Sequence, residues 1–476
     1  MRNNWAAMEI GVVSLLFLIP VALTSVVVPS PSIGWNQTTP HVSVPWGAQS
    51  THIQHVITVV MENRVYDNYF GTYCQSLGPY CSSTGNGLPP GLCVLMNPLT
   101  PTTGCVRPYN MTPAMFNTPD LQHDWVSGHN AWDNGAMDGF YQAEARGIQP
   151  FGHYNGTTIP IYWDMAEQYA MSDNLFGANL SYSLPNHWYL IGGQSPNISQ
   201  SSYLRNTSDR ATYLKEADNT STVQDVLNHS KVSWKYYDYS LLSRAAATAN
   251  PGSNSAYDYW NPMASRTESY SPTFNSHFVG RSSFLSDVGN GTLPNISWVI
   301  PTANASDHPG YNETVGQSWI AQLVDAVEDS AYWNSTAIFV VWDDYGGWYD
   351  HVAPPRVMTK LLSFRSPALL ISPYAKENYI SHDFLDFFSL LHYVEWQFGL
   401  GCVTALDCTA PPPFDLFNFN QTARLPIQFA TDWKKATYPM ALQPMGQPVL
   451  CDRCNRIVPE LWTNSSVLTG NISMDT

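Results

Sequence analysis

The sequence predicts an α/β fold, a three-layer sandwich in which helices cover both faces of a mostly parallel central sheet. Short, continuously apolar runs alternate with helical patterns along the chain. Continuous apolar runs are typical of strands buried on both faces, and their alternation with helices is typical of parallel sheets. Strands are predicted at residues 55–61, 296–300, 337–342 and 368–372, and helices at 125–132, 161–169, 317–332 and 384–398.

One catalytic domain is predicted at residues 51–400. Before it, Arg2 precedes an apolar run over 10–28, which indicates a signal peptide or a membrane anchor within residues 1–30. Removal and retention of this segment both stay open, because the run is at the lower edge of what spans a bilayer. Residues 31–50 are rich in Pro, Ser and Thr and are predicted as a linker. The polar, Tyr-rich stretch 197–290 is predicted as a loop-rich insertion or lid with some strands.

Residues 401–476 are loop-like and Pro-rich, and we expect them to wrap on the catalytic domain, pinned by their own cysteines. The cysteines of the chain come in close groups, which outside the cell are typical of disulfides in loop-rich regions. For the C-x-x-C spacing at Cys451 and Cys454, a redox or zinc role stays open. The groups are Cys74, Cys81, Cys93 and Cys105, then Cys402 with Cys408, then Cys451 with Cys454.

Composition and sequons indicate an extracellular or cell-surface protein. The net charge of −16 argues against nucleic acid as a partner, because binding its phosphates needs Lys and Arg, which number only 21. About sixteen Asn-x-Ser/Thr sequons predict N-linked glycans. Among these sequons are Asn36, Asn110, Asn155, Asn206, Asn219, Asn312, Asn334 and Asn464.

Polar side chains follow the first predicted strand at Glu62 and Asn63. Functional side chains of a parallel α/β sheet gather at the carboxyl ends of its strands. A carboxylate beside a carboxamide offers the oxygen ligands that a hard divalent cation prefers. The structural alternative is a solvated strand end at which Glu62 pairs with Arg64.

A second polar group, Asp343 and Asp344, closes the strand predicted at 337–342. Two adjacent carboxylates repel each other unless a cation lies between them. Gly346 and Gly347 allow the chain to turn tightly beneath them.

Ser183 precedes an apolar helical run and is predicted at a helix N-terminus, where backbone N–H groups and the helix dipole favour an anion. A serine at this position is more often a simple N-cap. His123 and His308, considered one at a time, are also ambiguous, because a lone histidine is usually a structural residue.

Together these motifs resemble the phosphoesterase family of bacterial phospholipases C and an acid phosphatase, within the alkaline phosphatase and sulfatase fold group. Five segments match the family's motifs in the family's order, and they span most of the expected mature chain. The segments are Met61-Glu62-Asn63-Arg64 through Gly71, His123-Asp124-Trp125 with Asn134 through Phe140, Ser183-Leu184-Pro185-Asn186, Asp307-His308-Pro309, and Trp342 through His351.

The resemblance implies one divalent metal ion held by Glu62, Asn63, Asp343 and Asp344, with Ser183 completing its shell. Its identity stays open among Ca²⁺, Mg²⁺, Mn²⁺ and Fe. Ser183 would be the nucleophile and form a phosphoserine. The remaining implied residues act on the phosphoryl group: His123, His308 and His351 grip its oxygens or serve the leaving group, and Asn186 and His187 bind substrate.

The chain departs from the family pattern at three positions. His187 stands where the family usually has Arg, Asp344 replaces a common Glu, and Phe387-Phe388-Ser389 replaces His-Thr-Ser after Asp386. Ser183 and Pro185 also resemble the sulfatase turn, but the missing Arg disfavours a sulfatase.

The leading functional prediction is a metal-dependent acid phosphatase or phosphodiesterase that acts on small phosphate esters outside the cell. The alternative within enzymes is a phospholipase C acting on phospholipid head groups, which needs an apolar entrance to its site. A third interpretation, from another class, is an inactive cell-surface glycoprotein. Membrane attachment through the N-terminal segment is an open expectation.

Overall fold

The computed structural model describes residues 50–78, 81, 85–100, 102, 104–143, 146–197, 207–238 and 260–429. The predicted N-terminal segment and linker, apart from Ser50, lie outside these residues. So do Cys451, Cys454 and the sequons at Asn36, Asn206 and Asn464. Within the described ranges, no helix is long and apolar enough to cross a membrane.

The central sheet has 8 strands, in the order β8-β2-β7-β6-β1-β5-β3-β4. Neighbouring strands are parallel except where β7 pairs with β6 and with β2. The prediction of a mostly parallel sheet is therefore confirmed. The strands are β1 (His55–Met61), β2 (Ala170–Ser172), β3 (Trp234–Asp238), β4 (Phe278–Gly280), β5 (Ile296–Val299), β6 (Thr336–Trp342), β7 (Ala368–Ile371) and β8 (Tyr379–Ser381).

Helices pack on both faces of this sheet. Side chains of a strand alternate between its faces, so Trp342 and Phe339 of β6 point in opposite directions. Trp342 packs on Tyr162 of α2, at 5.1 Å between ring centroids, and Phe339 packs on Tyr393 of α7 at 5.4 Å. The predicted three layers are thus present. The helices of eight residues or more are α1 (Trp125–Trp132), α2 (Pro160–Gln168), α3 (Ser183–Gly192), α4 (Thr207–Asn219), α5 (Ser282–Asn290), α6 (Glu313–Glu328) and α7 (Phe387–Phe398).

Shorter elements connect these layers. The short helices are Tyr66–Phe70, Tyr73–Leu77, Phe140–Ala143, Val223–Asn228, Pro272–Asn275 and Ala405–Thr409. The two-residue strands pair as Val94–Leu95 with Cys105–Val106, Tyr109–Asn110 with Gly152–His153, Leu175–Phe176 with Leu385–Asp386, and Arg356–Val357 with Lys360–Leu361.

The strands β1 and β6 form the centre of the core. All seven residues of each are buried, and Val, Ile, Phe and Trp fill them because such side chains pack well on a sheet covered on both faces. The two strands are parallel neighbours in which Met61 pairs with Trp342. Whatever follows these two residues therefore leaves the sheet at the same edge.

The segment predicted as an insertion, 197–290, contributes to the sheet itself. It supplies β3 and β4, which extend the sheet beyond β5, and α5, which packs against β3 through Phe284 and Tyr237 at 5.2 Å between ring centroids. The described part of this segment is therefore continuous with the catalytic core.

The first part of the C-terminal extension lies along α6. Glu328 accepts hydrogen bonds from the backbone N–H groups of Ile427 and Gln428 at 3.0 and 2.8 Å. Three disulfides lie within the described residues, and each joins cysteines of one predicted group: Cys74–Cys81, Cys93–Cys105 and Cys402–Cys408.

Candidate active site

The ends of β1 and β6 bring their polar residues together. The N–H of Asp343 donates to the backbone oxygen of Met61 at 3.0 Å, and the N–H of Asn63 donates to Asp343 Oδ1 at 2.9 Å. Asn63 has a φ of +59°, a left-handed conformation that asparagine tolerates better than most residues. The predicted grouping of Glu62, Asn63, Asp343 and Asp344 at one sheet edge is therefore what the fold produces.

Ser183 is the first residue of α3, and its hydroxyl points into this group. Its Oγ lies 3.1 Å from Asp344 Oδ2, 3.2 Å from Glu62 Oε2 and 3.5 Å from Asn63 Oδ1. The N-cap of α3 is Tyr182, so Ser183 does not serve as the cap. The structural alternative for this serine is thereby removed.

Asn186 braces the turn that carries Ser183. Its amide nitrogen donates to the backbone oxygens of Asn179 and Ser181 at 2.9 and 3.2 Å, and its amide oxygen accepts from the N–H of Asn179 at 2.9 Å. Asn186 was expected to bind substrate, and these contacts instead tie the first turn of α3 to the preceding loop.

His187 lies one helical turn after Ser183 and faces the same carboxylates. Its Nε2 is 3.0 Å from Glu62 Oε1 and 3.6 Å from Asp343 Oδ2. The sequence assigned it to substrate. The four-residue spacing from Ser183 indicated a common helix face, but not which strand ends that face would meet.

His123 orients Asn63. The Asn63 amide nitrogen donates to His123 Nε2 at 3.3 Å, while His123 Nδ1 donates to the backbone oxygen of Leu121 at 2.7 Å. The Asn63 oxygen consequently faces Ser183. His123 Nε2 also lies 3.9 Å from Asp344 Oδ2, so this histidine belongs to the site.

The other two predicted histidines differ in position. His308 is within electrostatic range of Asp343 and His123, and its Nδ1 donates to the backbone oxygen of Pro309 at 2.7 Å. His351 lies against Asp67 at 2.6 Å instead, beside Arg365. None of the contacts recorded for His351 in the described part of the chain involves Ser183 or its carboxylates.

Sequence comparison agrees with this constellation. The model of the phosphoesterase family matches residues 53–401, a stretch that includes Ser183 and every side chain gathered around it. The chain belongs to the phosphoesterase family. It is a phosphoric-ester hydrolase.

Named relatives of this phosphoesterase are phospholipases C. Phospholipase C B of Mycobacterium tuberculosis is 28% identical, over 79% of each chain. The non-hemolytic phospholipase C of Burkholderia pseudomallei is 25% identical, over 73% of this chain and 55% of that protein. Among solved structures, an alkaline phosphatase superfamily protein from Vibrio parahaemolyticus covers 71% of this chain and 76% of its own, at 13% identity and a TM-score of 0.33.

The carboxylates of the site carry unbalanced negative charge. Burial raises the pKa of Glu62 well above its usual value, and the charges of Asp343 and Asp344 add to the rise. Burial and Asp343 raise the pKa of Asp344 likewise. Burial would also raise the pKa of Asp343, but His187 and the Asn63 N–H hold it below its usual value. A cation bound among these carboxylates would offset the repulsion between their negative charges.

The pKa values of His123 and His308 shift in opposite directions. Burial lowers the pKa of His308, and the nearby carboxylates only partly oppose this. Burial would lower the pKa of His123 too, but the carboxylates of Asp120 and Asp344 raise it.

Three groups of described residues could hold a metal ion. In two of them, an arginine or a disulfide already occupies the side chains that would bind the ion. In the group of Asp67, Asp350 and His351, Arg365 donates to both carboxylates, at 3.0 and 2.9 Å. The group of Glu395, Asp407 and Cys402 lacks a thiolate, because Cys402 is bonded to Cys408.

The third group, Glu62, His187 and Asp343, fits a cation. Asp343 Oδ2 is buried without a hydrogen-bond partner among the described residues. Arg64, the neighbour that could have neutralised Glu62, turns away and donates to Glu313 at 3.0 Å. The sequence alternative in which Glu62 pairs with Arg64 is therefore wrong. Metal dependence is a property of the family, and this group offers the donors for it.

Proposed function

We propose that this phosphoesterase cleaves phosphoric diesters with Ser183 as its nucleophile. The observation that carries the proposal is the position of Ser183 Oγ, within 3.5 Å of Glu62, Asn63 and Asp344 at the N-terminus of a ten-residue helix. The helix N-terminus and the hydroxyl together favour a bound phosphate.

Ser183 Oγ attacks phosphorus, and the bond from phosphorus to the leaving alcohol oxygen breaks. The hydroxyl proton passes to Asp344 Oδ2, the nearest of its three acceptors at 3.1 Å. The leaving oxygen takes a proton from Nε2 of protonated His308, a form that the lowered pKa of this histidine restricts to acidic pH. Water then loses a proton to His308 and cleaves the phosphoserine, and Ser183 recovers its proton from Asp344, so atoms and charges balance over the cycle.

The metal would be held by Glu62, Asn63, Asp343 and Asp344. When bound, it supplies positive charge that stabilises the phosphoryl oxygens and the serine alkoxide. His123 keeps the Asn63 amide oxygen turned toward Ser183 through the 3.3 Å contact with the amide nitrogen. His123 is in this respect a positioning residue.

A lipid substrate is favoured over a small soluble ester by exposed apolar side chains on the segments that carry the site histidines. Eight large hydrophobic residues of the described chain are exposed, and three of them, Trp125, Val126 and Tyr311, lie within three residues of His123 or His308. Trp125 follows His123 by two residues, and Tyr311 contacts the His308 ring at 6.2 Å between centroids. Met115 and Ile148 are exposed too, 8 residues before and 25 residues after His123.

The segments that carry Tyr311 and Ile148 are hydrogen-bonded to the chain between Met115 and α1, the helix that begins with Trp125 and Val126. The N–H of Asn117 donates to the backbone oxygen of Tyr311 at 3.1 Å, and Gln149 donates to the backbone oxygen of Pro119 at 2.5 Å. An exposed group of apolar side chains beside a catalytic site is typical of contact with a lipid surface. The phospholipases C among the relatives support the same substrate class.

We propose an extracellular or cell-surface location for the enzyme. Disulfides persist in oxidising compartments, and three of them lie within the described residues. The sequon residues Asn110, Asn219 and Asn334 are exposed, as N-linked glycans require.

The test is turnover by the purified full chain. The substrates are p-nitrophenyl phosphate, bis-p-nitrophenyl phosphate, p-nitrophenylphosphorylcholine and phosphatidylcholine vesicles, each with and without chelator. Chelator-sensitive diester cleavage that falls at least about 10³-fold in Ser183→Ala supports the proposal. Ser276→Ala, at an exposed serine whose hydroxyl donates to the backbone oxygen of Thr273 at 3.1 Å, is the matched control.

Other outcomes overturn parts of the proposal. Preference for the monoester supports the acid phosphatase prediction instead. More than about a tenth of the rate remaining in Ser183→Ala removes the nucleophile role. No turnover by folded, metal-loaded protein favours the inactive glycoprotein.

A further inference from the structure

We infer that His187 Nε2 is a direct ligand of the metal ion, which makes the ion a first-row transition metal such as Mn²⁺, Fe²⁺ or Zn²⁺ rather than Ca²⁺ or Mg²⁺. This inference rests on the metal-dependent function proposed above. It concerns a position at which the chain departs from its family pattern, and it replaces the substrate-binding role that the sequence assigned to this histidine.

The ligand geometry is the first argument. His187 Nε2, Glu62 Oε1 and an oxygen of Asp343 all lie within 4.8 Å of one another. Ligand atoms that share an ion at about 2.1 Å from each lie roughly 3 to 3.5 Å apart. The distances from His187 Nε2, 3.0 Å to Glu62 and 3.6 Å to Asp343, are close to that range.

The second argument is the buried oxygen that lacks a partner. Asp343 Oδ2 is fully buried and has no hydrogen-bond donor among the described residues, although it faces His187. Within the described residues, the ion pairs of Glu62, Asp343 and Asp344 are with His187 and His123, and none is with a lysine or an arginine. Arg365, by contrast, donates to both carboxylates of its own group.

The chemistry of a histidine at position 187 also differs from that of the arginine usual in the family. An arginine at this position could only neutralise the carboxylates, because its guanidinium has no lone pair to donate to a metal. A histidine offers one. Ser183 and His187 lie four residues apart on α3 and therefore face the site from the same side.

A histidine ligand limits which metal ions the site would prefer. An all-oxygen shell suits Ca²⁺ and Mg²⁺, whereas imidazole nitrogen suits Zn²⁺, Fe²⁺ and other transition ions. The side-chain oxygens of Glu62, Asn63, Asp343 and Asp344 with one imidazole nitrogen are accordingly a mixed site, in which the nitrogen sets the preference for a transition metal.

The experiment uses the full chain, stripped with chelator and titrated calorimetrically with Mn²⁺, Zn²⁺ and Ca²⁺. The Mn²⁺ complex is then examined by electron spin echo envelope modulation, which detects a coordinated histidine nitrogen. His187→Gln is compared with His55→Gln, a buried histidine that binds the backbone oxygen of Pro294 at the opposite end of β1. Circular dichroism and thermal unfolding verify that each variant is folded, and His187→Asn is the second variant if His187→Gln is not.

We expect Zn²⁺ or Mn²⁺ to bind more tightly than Ca²⁺, with nitrogen modulation in the wild type and in His55→Gln that is lost in His187→Gln. The ratio of Zn²⁺ to Ca²⁺ affinity should fall at least about 10-fold in His187→Gln. Bound Mn²⁺ without nitrogen modulation, or a preference for Ca²⁺, overturns this inference and leaves the proposed function intact. Failure of all three ions to bind overturns both.

Discussion

A side chain on Gly346 would overlap the backbone oxygen of Asn63, so these two residues touch directly beneath the site. Both adopt left-handed backbone conformations, with φ of +57° at Gly346 and +59° at Asn63. The N–H of Gly346 donates to Asp344 Oδ1 at 2.7 Å, and that of Asn63 donates to Asp343 Oδ1 at 2.9 Å. The two turns thus orient the carboxylates of Asp343 and Asp344, the proposed metal ligands, and hold each other in place.

Gly346→Ala should therefore damage both stability and metal binding. We expect a loss of about 2 kcal/mol or more in the free energy of unfolding, because a Cβ is disfavoured at this φ and meets the Asn63 backbone. Metal affinity should fall with it. Denaturant unfolding and calorimetric titration measure the two effects. Gly289→Ala, at an exposed helical position with open space around it, is the control and should be neutral or slightly stabilising.

Replacement of His123 by Phe should weaken metal binding about 10-fold, because the Asn63 amide loses the contact that turns its oxygen toward Ser183. Calorimetric titration measures the change, with Ser183→Ala as a reference for activity loss. His129→Phe is the control, since His129 contacts only Trp125 and Trp132 of its own helix among the contacts described. Unchanged metal affinity in His123→Phe would contradict the positioning role.

Residues 55–61, 296–300 and 337–342 could be recognised as strands from sequence because continuous apolar runs leave few alternatives. Polar residues directly after β1 and β6 predicted that Glu62, Asn63, Asp343 and Asp344 lie together, because parallel strands end at the same edge of the sheet. The three-residue strands β2, β4 and β8 are too short for any hydrophobic period to show. The strand β3 lies in a polar, Tyr-rich stretch whose composition is typical of an insertion.

The positions of His187 and His351 could not be predicted from sequence, because they depend on contacts between separate helices, strands and turns. Sequence places His187 on a helix face with Ser183, but which strand ends that face meets depends on how α3 packs. Likewise, the Asp-His pair at 350–351 follows Asp343 and Asp344, the proposed metal ligands, closely in sequence. The turn at Gly346 and Gly347 nevertheless carries His351 to Asp67 and Arg365.

Trp125→Ala combined with Val126→Ala should lower the rate on phosphatidylcholine vesicles about 10-fold or more and change the rate on p-nitrophenylphosphorylcholine less than about threefold. In the proposed docking on lipid, these two exposed side chains, 43% and 50% accessible, meet the lipid surface and not the reacting phosphate. Vesicle sedimentation measures binding directly. Leu425→Ala, 68% accessible on the C-terminal extension, is the matched control. Equal losses on both substrates would contradict a lipid-docking role.

Arg365→Met should be among the most destabilising single substitutions in the chain. Arg365 is fully buried and donates to Asp350 at 2.9 Å and to Asp67 at 3.0 Å, so its loss removes the guanidinium that both buried carboxylates share. Removing one partner of such a group costs about 3–5 kcal/mol. Denaturant unfolding measures the loss. The triple variant with Asp67→Asn and Asp350→Asn should recover part of it, and no recovery would show that packing, not charge, is responsible.

Glu395 should make the protein less stable as pH rises. Burial and the Asp407 carboxylate raise the pKa of Glu395 from 4.5 to about 10, so the folded protein keeps a proton that the unfolded chain releases above pH 4.5. The stabilising contribution is complete below the unfolded pKa and is lost progressively toward pH 10, at up to about 1.4 kcal/mol per pH unit.

Glu395→Gln removes this titration and keeps a donor for Asp407. Isothermal denaturant unfolding at pH 5, 6.5 and 8 should show the variant gaining on the wild type by about 1 kcal/mol per pH unit. Glu268→Gln, at an exposed position on a short turn, is the control and should follow the wild type throughout. A constant difference between Glu395→Gln and the wild type across this range would mean that Glu395 is ionised in the folded protein.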